Sequence, residues 1–204
     1  MQVPKDPANG YAYVEIGGIK WATMNVGATS ETDYGLYFRW GETQDYTTTT
    51  AYKFNPSGDD YDSHFTKYFT KYNSTDGKTV LDIEDDAARA NWGGDWRMPT
   101  KEEFATLKNA CNYEWVTDYK GSGVNGELFT DKTDTSKTLF FPAAGYRFYS
   151  TIQNTGQRCQ YLSSARTENG VSMCVYLSAT IDDMYFPNND SRANGYSVRG
   201  VLAE

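Results

Sequence analysis

Histidine occurs once in the 204 residues, cysteine three times, and Lys and Arg never gather into a run. Each scarcity closes a class of chemistry. A single histidine, His64, excludes a multi-histidine zinc or iron centre by count and leaves one candidate for any Ser–His–Asp or Cys–His relay. Three cysteines (Cys111, Cys159, Cys174) are too few for a disulfide-built scaffold, and the odd number leaves at least one unpaired. A Cys159–Cys174 bridge stays conceivable, because both sit on segments that read as neighbouring strands. A net charge of −8 without clustered bases argues against nucleic acid, whose phosphates are met by grouped Lys and Arg. No apolar stretch approaches the length of a bilayer span, so direct membrane insertion is not expected. A glycine-rich phosphate loop is missing, since Gly17-Gly18 and Gly93-Gly94 read as turns.

What the chain has is rings. Hydrophobic residues make up only 39%, yet 17 Tyr, 10 Phe and 5 Trp are present, so the core is expected to be built from a few large side chains. Trp21, Trp40, Trp92 and Trp96 each lie beside Gly or another small residue, where an indole can fill a gap. These four are assigned to the core, each worth ~3–5 kcal/mol against alanine. Surplus Tyr, Asn, Ser and Gly suit a surface that binds at low entropic cost, although a Tyr-rich chain is also simply a β-rich one.

Along the chain, Met1 to Gly10 is polar and reads as a flexible leader to a domain over 11–204. Tyr11 to Val26 gives two short strands around Gly17-Gly18, and Asp33 to Glu42 is an aromatic segment with glycines near both ends. Thr43 to Lys78 is polar and predicts a long surface loop. Leu81 to Asn91 predicts a helix with Asp82 as its cap and acidic residues in its first turn. Gly93-Gly94-Asp95-Trp96-Arg97-Met98-Pro99-Thr100-Lys101-Glu102-Glu103-Phe104 is the most informative stretch. Pro99 holds Met98 extended, Thr100 and Glu103 form a capping box, and Phe104 and Leu107 repeat at helical spacing over a helix from about Lys101 to Ala110. Beyond Asn112 the pattern is strands and turns: Asn125-Gly126 as a hairpin signal, Thr138 to Tyr146 interrupted by Pro142, Gln160 to Ser164, the alternating Val171 to Ala179, Met184 to Phe186, and Tyr196 to Val201. The composite is an α+β fold with two helices.

Several of these blocks, in order, resemble a known family. Lys20-Trp21-Ala22-Thr23-Met24-Asn25-Val26-Gly27-Ala28 and Tyr34-Gly35-Leu36-Tyr37-Phe38-Arg39-Trp40-Gly41-Glu42 are similar to the opening of the Fibrobacter succinogenes major paralogous domain. Asp85-Asp86-Ala87-Ala88, Asn91-Trp92-Gly93-Gly94, Trp96-Arg97-Met98-Pro99-Thr100, Pro142-Ala143-Ala144-Gly145-Tyr146-Arg147 and Ser197-Val198-Arg199 are similar to its later blocks. The resemblance implies a C-type lectin-like fold: N- and C-terminal strands paired, two helices, and small twisted antiparallel sheets with long loops. It also implies an extracellular or cell-surface protein, secreted or lipid-anchored, with a targeting signal expected ahead of the leader.

The same fold includes the formylglycine-generating enzymes, which work through a cysteine pair near the C-terminus. Cys159 and Cys174 do not stand in that motif, although Arg158 beside Cys159 would favour a thiolate. The calcium-dependent lectins carry an acidic or amide residue before Pro-Asn or Pro-Asp. Here Phe186-Pro187-Asn188 departs from that pattern. Asp82, Glu84, Asp85 and Asp86 supply hard oxygens, but capping and the helix dipole explain them. Asp59, Asp60, Asp62 and His64 suit weak cation binding or a solvated loop. No cofactor or metal is expected.

The expected site is a surface. In the fold that the resemblance implies, the last third forms the ligand face, and there the chain concentrates Tyr149, Arg158, Tyr161, Arg166, Asp183, Tyr185, Asn188, Asn189 and Arg192, with Asn154, Asn169, Asp190 and Asn194 around them. Tyr and Arg concentrate binding energy, and Asn adapts its hydrogen bonds. The expected function is non-catalytic binding of a protein or glycan. An enzyme of the formylglycine-generating type, or a structural module of a surface protein, stands as the alternative.

Overall fold

A computed structural model describes residues 3–47, 51–55, 69–168 and 173–203. His64, Asp59, Asp60, Asp62 and Asn169 lie outside them. Among the described residues the architecture is α+β: four small antiparallel sheets and two α-helices. No helix among them is long and apolar enough to cross a membrane.

The first sheet joins the two ends of the chain. Strands β1 (Tyr13–Ile16) and β2 (Ile19–Ala22) form the expected hairpin. Gly17 and Gly18 both take positive φ, as a tight two-residue turn of matching twist requires. β14 (Val201–Leu202) pairs with β2 on one side and with β4 (Trp96–Arg97) on the other. Residues 3–10, read above as a flexible leader, are instead tied to this sheet. Lys5 bridges Ala12, and the buried Asp6 accepts the Trp96 indole N–H at 2.8 Å. Asn9 donates to the Trp92 carbonyl at 3.0 Å. Composition gave no sign of this, because Trp92 and Trp96, which hold Asn9 and Asp6, lie more than eighty residues away.

The first helical region is shorter and later than the sequence predicts. Ile83–Asp85 is a 3₁₀ turn and α1 spans Ala87–Trp92. The cap is Asp86, not Asp82. Lys71 and Lys78 occupy the Asp82 carboxylate, while extended Asp86 interrupts the helix and accepts from Arg89 N at 2.9 Å and Met98 N at 2.8 Å. The second helix, α2 (Lys101–Ala110), is as read: Thr100 accepts from Glu103 N, and the Glu103 carboxylate accepts from Thr100 N. Arg97 adds a two-pronged ion pair to Glu103 at 2.6 and 2.7 Å.

Three further sheets complete the fold. β3 (Phe38–Arg39), β13 (Gly195–Tyr196), β8 (Tyr146–Phe148) and β9 (Thr151–Gln153) form one of them. β5 (Cys111–Val116), β6 (Gly126–Asp131) and β7 (Thr138–Pro142) form the second. β10 (Cys159–Arg166), β11 (Met173–Ala179) and β12 (Met184–Ser191) form the third. Asn125-Gly126 is not a two-residue hairpin turn; it closes the longer connection 117–125, and Gly126 opens β6. A Cβ on Gly126 would stand 2.2 Å from the Phe141 carbonyl, so close strand approach explains the glycine.

The core divides into two aromatic clusters. One gathers Trp40, Tyr72, Trp92, Trp96, Met98 and Tyr196; the other gathers Trp21, Phe104, Phe129, Phe141, Tyr161 and Leu177. Trp21, Trp40 and Trp96 are wholly buried and Trp92 nearly so, as the small residues beside them predict. Arg199 is fully buried between the sheets, with no carboxylate bonded to it among the described residues. Its guanidinium donates to Asn25 Oδ1, the Ala22 carbonyl and the Phe140 carbonyl at 2.9–3.1 Å and lies over the Phe141 ring. Satisfied donors and a ring face are what make a buried cation tolerable there.

Candidate functional site

The edge where the β5–β6–β7 sheet meets the β11–β12 hairpin carries an open cleft of about 450 Å³. Trp115, Thr117 and Asn125 come from β5 and the connection after it. Gly156, Gln157 and Arg158 come from the segment entering β10, and Thr180, Ile181, Asp182 and Tyr185 from the hairpin. Local hydrogen bonds set each wall. Asn125 accepts from Asp118 N at 3.1 Å and donates to the Gly156 carbonyl at 3.1 Å, tying the first wall to the second. Thr180 Oγ1 accepts from the amides of Asp182 and Asp183 at 3.3 and 3.4 Å, which shapes the hairpin tip. Ile181 is 68% exposed and Tyr185 50%.

Beside the cleft stands a buried acid. In the ladder of this sheet Trp115 pairs with Glu127 and Glu127 with Phe141, so the three side chains share the inward face. Glu127 is 3% exposed, and its carboxyl makes no hydrogen bond among the described residues. Burial, and then the charges of Glu114 and Asp183, push its pKa up to about 7.

The nine residues expected to form the site part company. Arg158 and Tyr185 line the cleft, and Asp183 adjoins it next to Asp182. Asn188 and Asn189 lie further along β12, opposite Tyr176 and Val175. Tyr149 is exposed at the β8–β9 turn, on another sheet. Tyr161, Arg166 and Arg192 are corrections: all three are buried and face inward. Tyr161 donates to the Pro142 carbonyl at 2.9 Å and accepts from Asn25 Nδ2 at 3.1 Å. Arg166 donates to the carbonyls of Lys78 and Thr167, stitching β10 to the loop before α1. Arg192 lies 3.7 Å from the Phe69 ring centroid, with Trp40, Tyr52 and Phe54 around it, and donates to the Tyr72 and Lys71 carbonyls. Tyr and Arg were assigned to the surface by type, but here rings and carbonyls compensate their polar ends in the interior.

Sequence reasoning missed Trp115, Gln157 and Asp182. One signal was available for Trp115: it is the tryptophan with no Gly or Ala within two residues.

Two other constellations were tested by their geometry. Asp82, Glu84 and Asp85 bring carboxylate oxygens within 4.8 Å of one another, a spacing a metal ion would accept. The Lys71 ammonium already takes that place, at 2.8, 2.9 and 2.6 Å from the three. Burial opposes charge on Lys71, but these bonds outweigh it and raise its pKa. The three cysteines are all free and buried. Burial pushes the Cys159 thiol well above its ordinary value, despite Arg158 next to it in sequence, and it donates to the Phe141 carbonyl. A protonated, covered thiol is the reverse of a reactive one. The chain matches no family model, no curated protein and no solved structure.

Proposed function

We propose that this chain is a non-catalytic binding domain, secreted or displayed at the cell surface, that recognises a glycan or protein segment in the cleft between Trp115 and Tyr185. The resemblance to the Fibrobacter succinogenes major paralogous domain and its C-type lectin-like plan supports this reading, as does the pairing of the N-terminal hairpin with the last strand. One observation carries it. Four of the five tryptophans are buried, whereas Trp115 borders an open cleft together with an exposed Tyr and uncommitted polar side chains. Rings with polar neighbours at the rim of a concavity are the composition of a recognition site.

The test is a glycan array and a panel of surface proteins probed with the purified domain, with and without calcium. The double variant Trp115→Ala/Tyr185→Ala serves as control. The wild type should bind a defined ligand and the double variant should not, with both melting as folded proteins. Equal binding by the two proteins, or none by the wild type, would end the proposal.

A further inference from the structure

The nature of the ligand follows from the one arginine the fold leaves uncommitted. Among the described residues, Arg39, Arg89 and Arg97 have carboxylate partners. Arg166, Arg192 and Arg199 are buried on carbonyls, and Arg147 lies over the Tyr37 ring. Arg158 alone is exposed with no hydrogen bond, ion pair or ring stacked on its guanidinium among those residues, and it acts on Tyr176 only through its charge. This happens in a chain whose 27 acidic residues outnumber its 19 basic ones, so internal partners are not scarce.

The backbone beneath that head group is fixed. Arg158 N donates to the Asn154 carbonyl at 3.1 Å, and the Arg158 carbonyl accepts from Gly145 N at 2.8 Å. Gly145 itself cannot be replaced freely: its φ is +67°, and a Cβ there would meet the Gln153 carbonyl at 1.9 Å. Held at its root and unbonded at its tip, the guanidinium offers its planar fork to an anion. Trp115 and Tyr185 supply ring faces in the same cleft, and Asp182 and Gln157, whose side chains hold no bonds among the described residues, supply acceptors and a donor.

Resting on the reading of the cleft given above, we infer that it takes an acidic glycan, a saccharide bearing a carboxylate. The sugar carboxylate pairs with Arg158, pyranose C–H faces lie on Trp115 and Tyr185, and sugar hydroxyls donate to Asp182. An acidic peptide fits less well. Its successive charges meet Asp182, Asp183 and a molecule of net charge −8. Strand-like docking on the edge strand β12 is hindered as well, because Pro187 in its middle offers no N–H.

The experiment is calorimetric titration at low salt with methyl galacturonide and 3′-sialyllactose, each bearing a single carboxylate and each beside a neutral counterpart, the methyl ester of the galacturonide and lactose. A hexaglutamate peptide is the further probe. At least one acidic saccharide should bind roughly ten- to a hundred-fold more tightly than its neutral counterpart, the worth of one charge-assisted pair. The preference should shrink when salt is raised to about 1 M, where charges are screened within a few ångströms. Arg158→Gln should erase the preference, bringing the acidic saccharide down to the affinity of its neutral counterpart, with melting unchanged. Trp115→Ala should remove binding of both forms. If acidic and neutral saccharides bind alike, the acidic inference falls and the cleft reading stands. If only the peptide binds, and does so through Trp115, the glycan is wrong but the cleft is still the site. If none of these probes binds, the acidic inference falls, and the array and protein panel decide the cleft reading.

Discussion

Substituting Glu127 by Gln isolates the cost of placing an ionisable group beside the cleft. In the unfolded chain this carboxyl ionises near its ordinary value of 4.5; folded, it does so at about 7. Below pH 4.5 both states keep the proton and ionisation contributes nothing. Between pH 4.5 and about 7 the folded protein binds more protons than the unfolded chain, so stability falls as pH rises. Above pH 7 both states are ionised and the loss has reached its limit. At about 1.4 kcal/mol per pKa unit, that limit is ~3 kcal/mol, or about 6–12 °C in Tm for a chain of this size. Glu127→Gln carries no titratable proton, so whatever its fixed effect, its stability lacks this fall. Urea unfolding of both proteins at steps from pH 4.5 to 8.5 measures the difference directly. The variant should gain ~3 kcal/mol on the wild type across the interval, most of it before neutrality. Parallel curves would refute the reasoning and show that a partner compensates the carboxylate in the folded state.

Two further outcomes follow from the frame. Trp96→Ala removes a wholly buried indole that packs edge-on to Trp92 at 5.1 Å and anchors Asp6. It should cost at least ~3–5 kcal/mol, and a thermal melt coincident with the wild type would contradict the core assignment. Thr100→Ala breaks one half of the capping box on α2 and should cost about 1 kcal/mol in urea unfolding at neutral pH. No change there would mean that Arg97 alone holds the helix start.

How much of this was legible depends on how far each cause reaches along the chain. The hairpin at Gly17-Gly18, the capping box at Thr100 and the four core tryptophans are decided within a few residues, and those readings agree with the structure. The helix after Leu81 was misplaced because Asp82 looks like a cap until Lys71 and Lys78 are seen to hold it. Alternation over Val171 to Ala179 signals a strand but not that both faces of β11 are covered: Cys174, Tyr176 and Ser178 are as buried as Val175 and Leu177. For the site the gap was wider. Residue type alone cannot tell Arg158, whose guanidinium makes no hydrogen bond or ion pair among the described residues, from Arg166 and Arg192, whose carbonyl and ring partners lie far off in sequence.

The central two-residue strand β14 of the first sheet has a consequence for how the chain matures. Val201 pairs with Trp21 on one flank and Arg97 on the other, so a two-residue ribbon bridges elements made much earlier. During synthesis the Tyr13–Ala22 hairpin and the Trp96–Arg97 strand emerge with their inner edges unpaired, and they stay so until Val201 and Leu202 follow. Long-range closure of this kind is slow and leaves sticky edges in the interim. Nascent chains stalled before Val201 should accordingly engage chaperones or clump, and the arrival of Val201 and Leu202 acts as the clasp that ends that exposure.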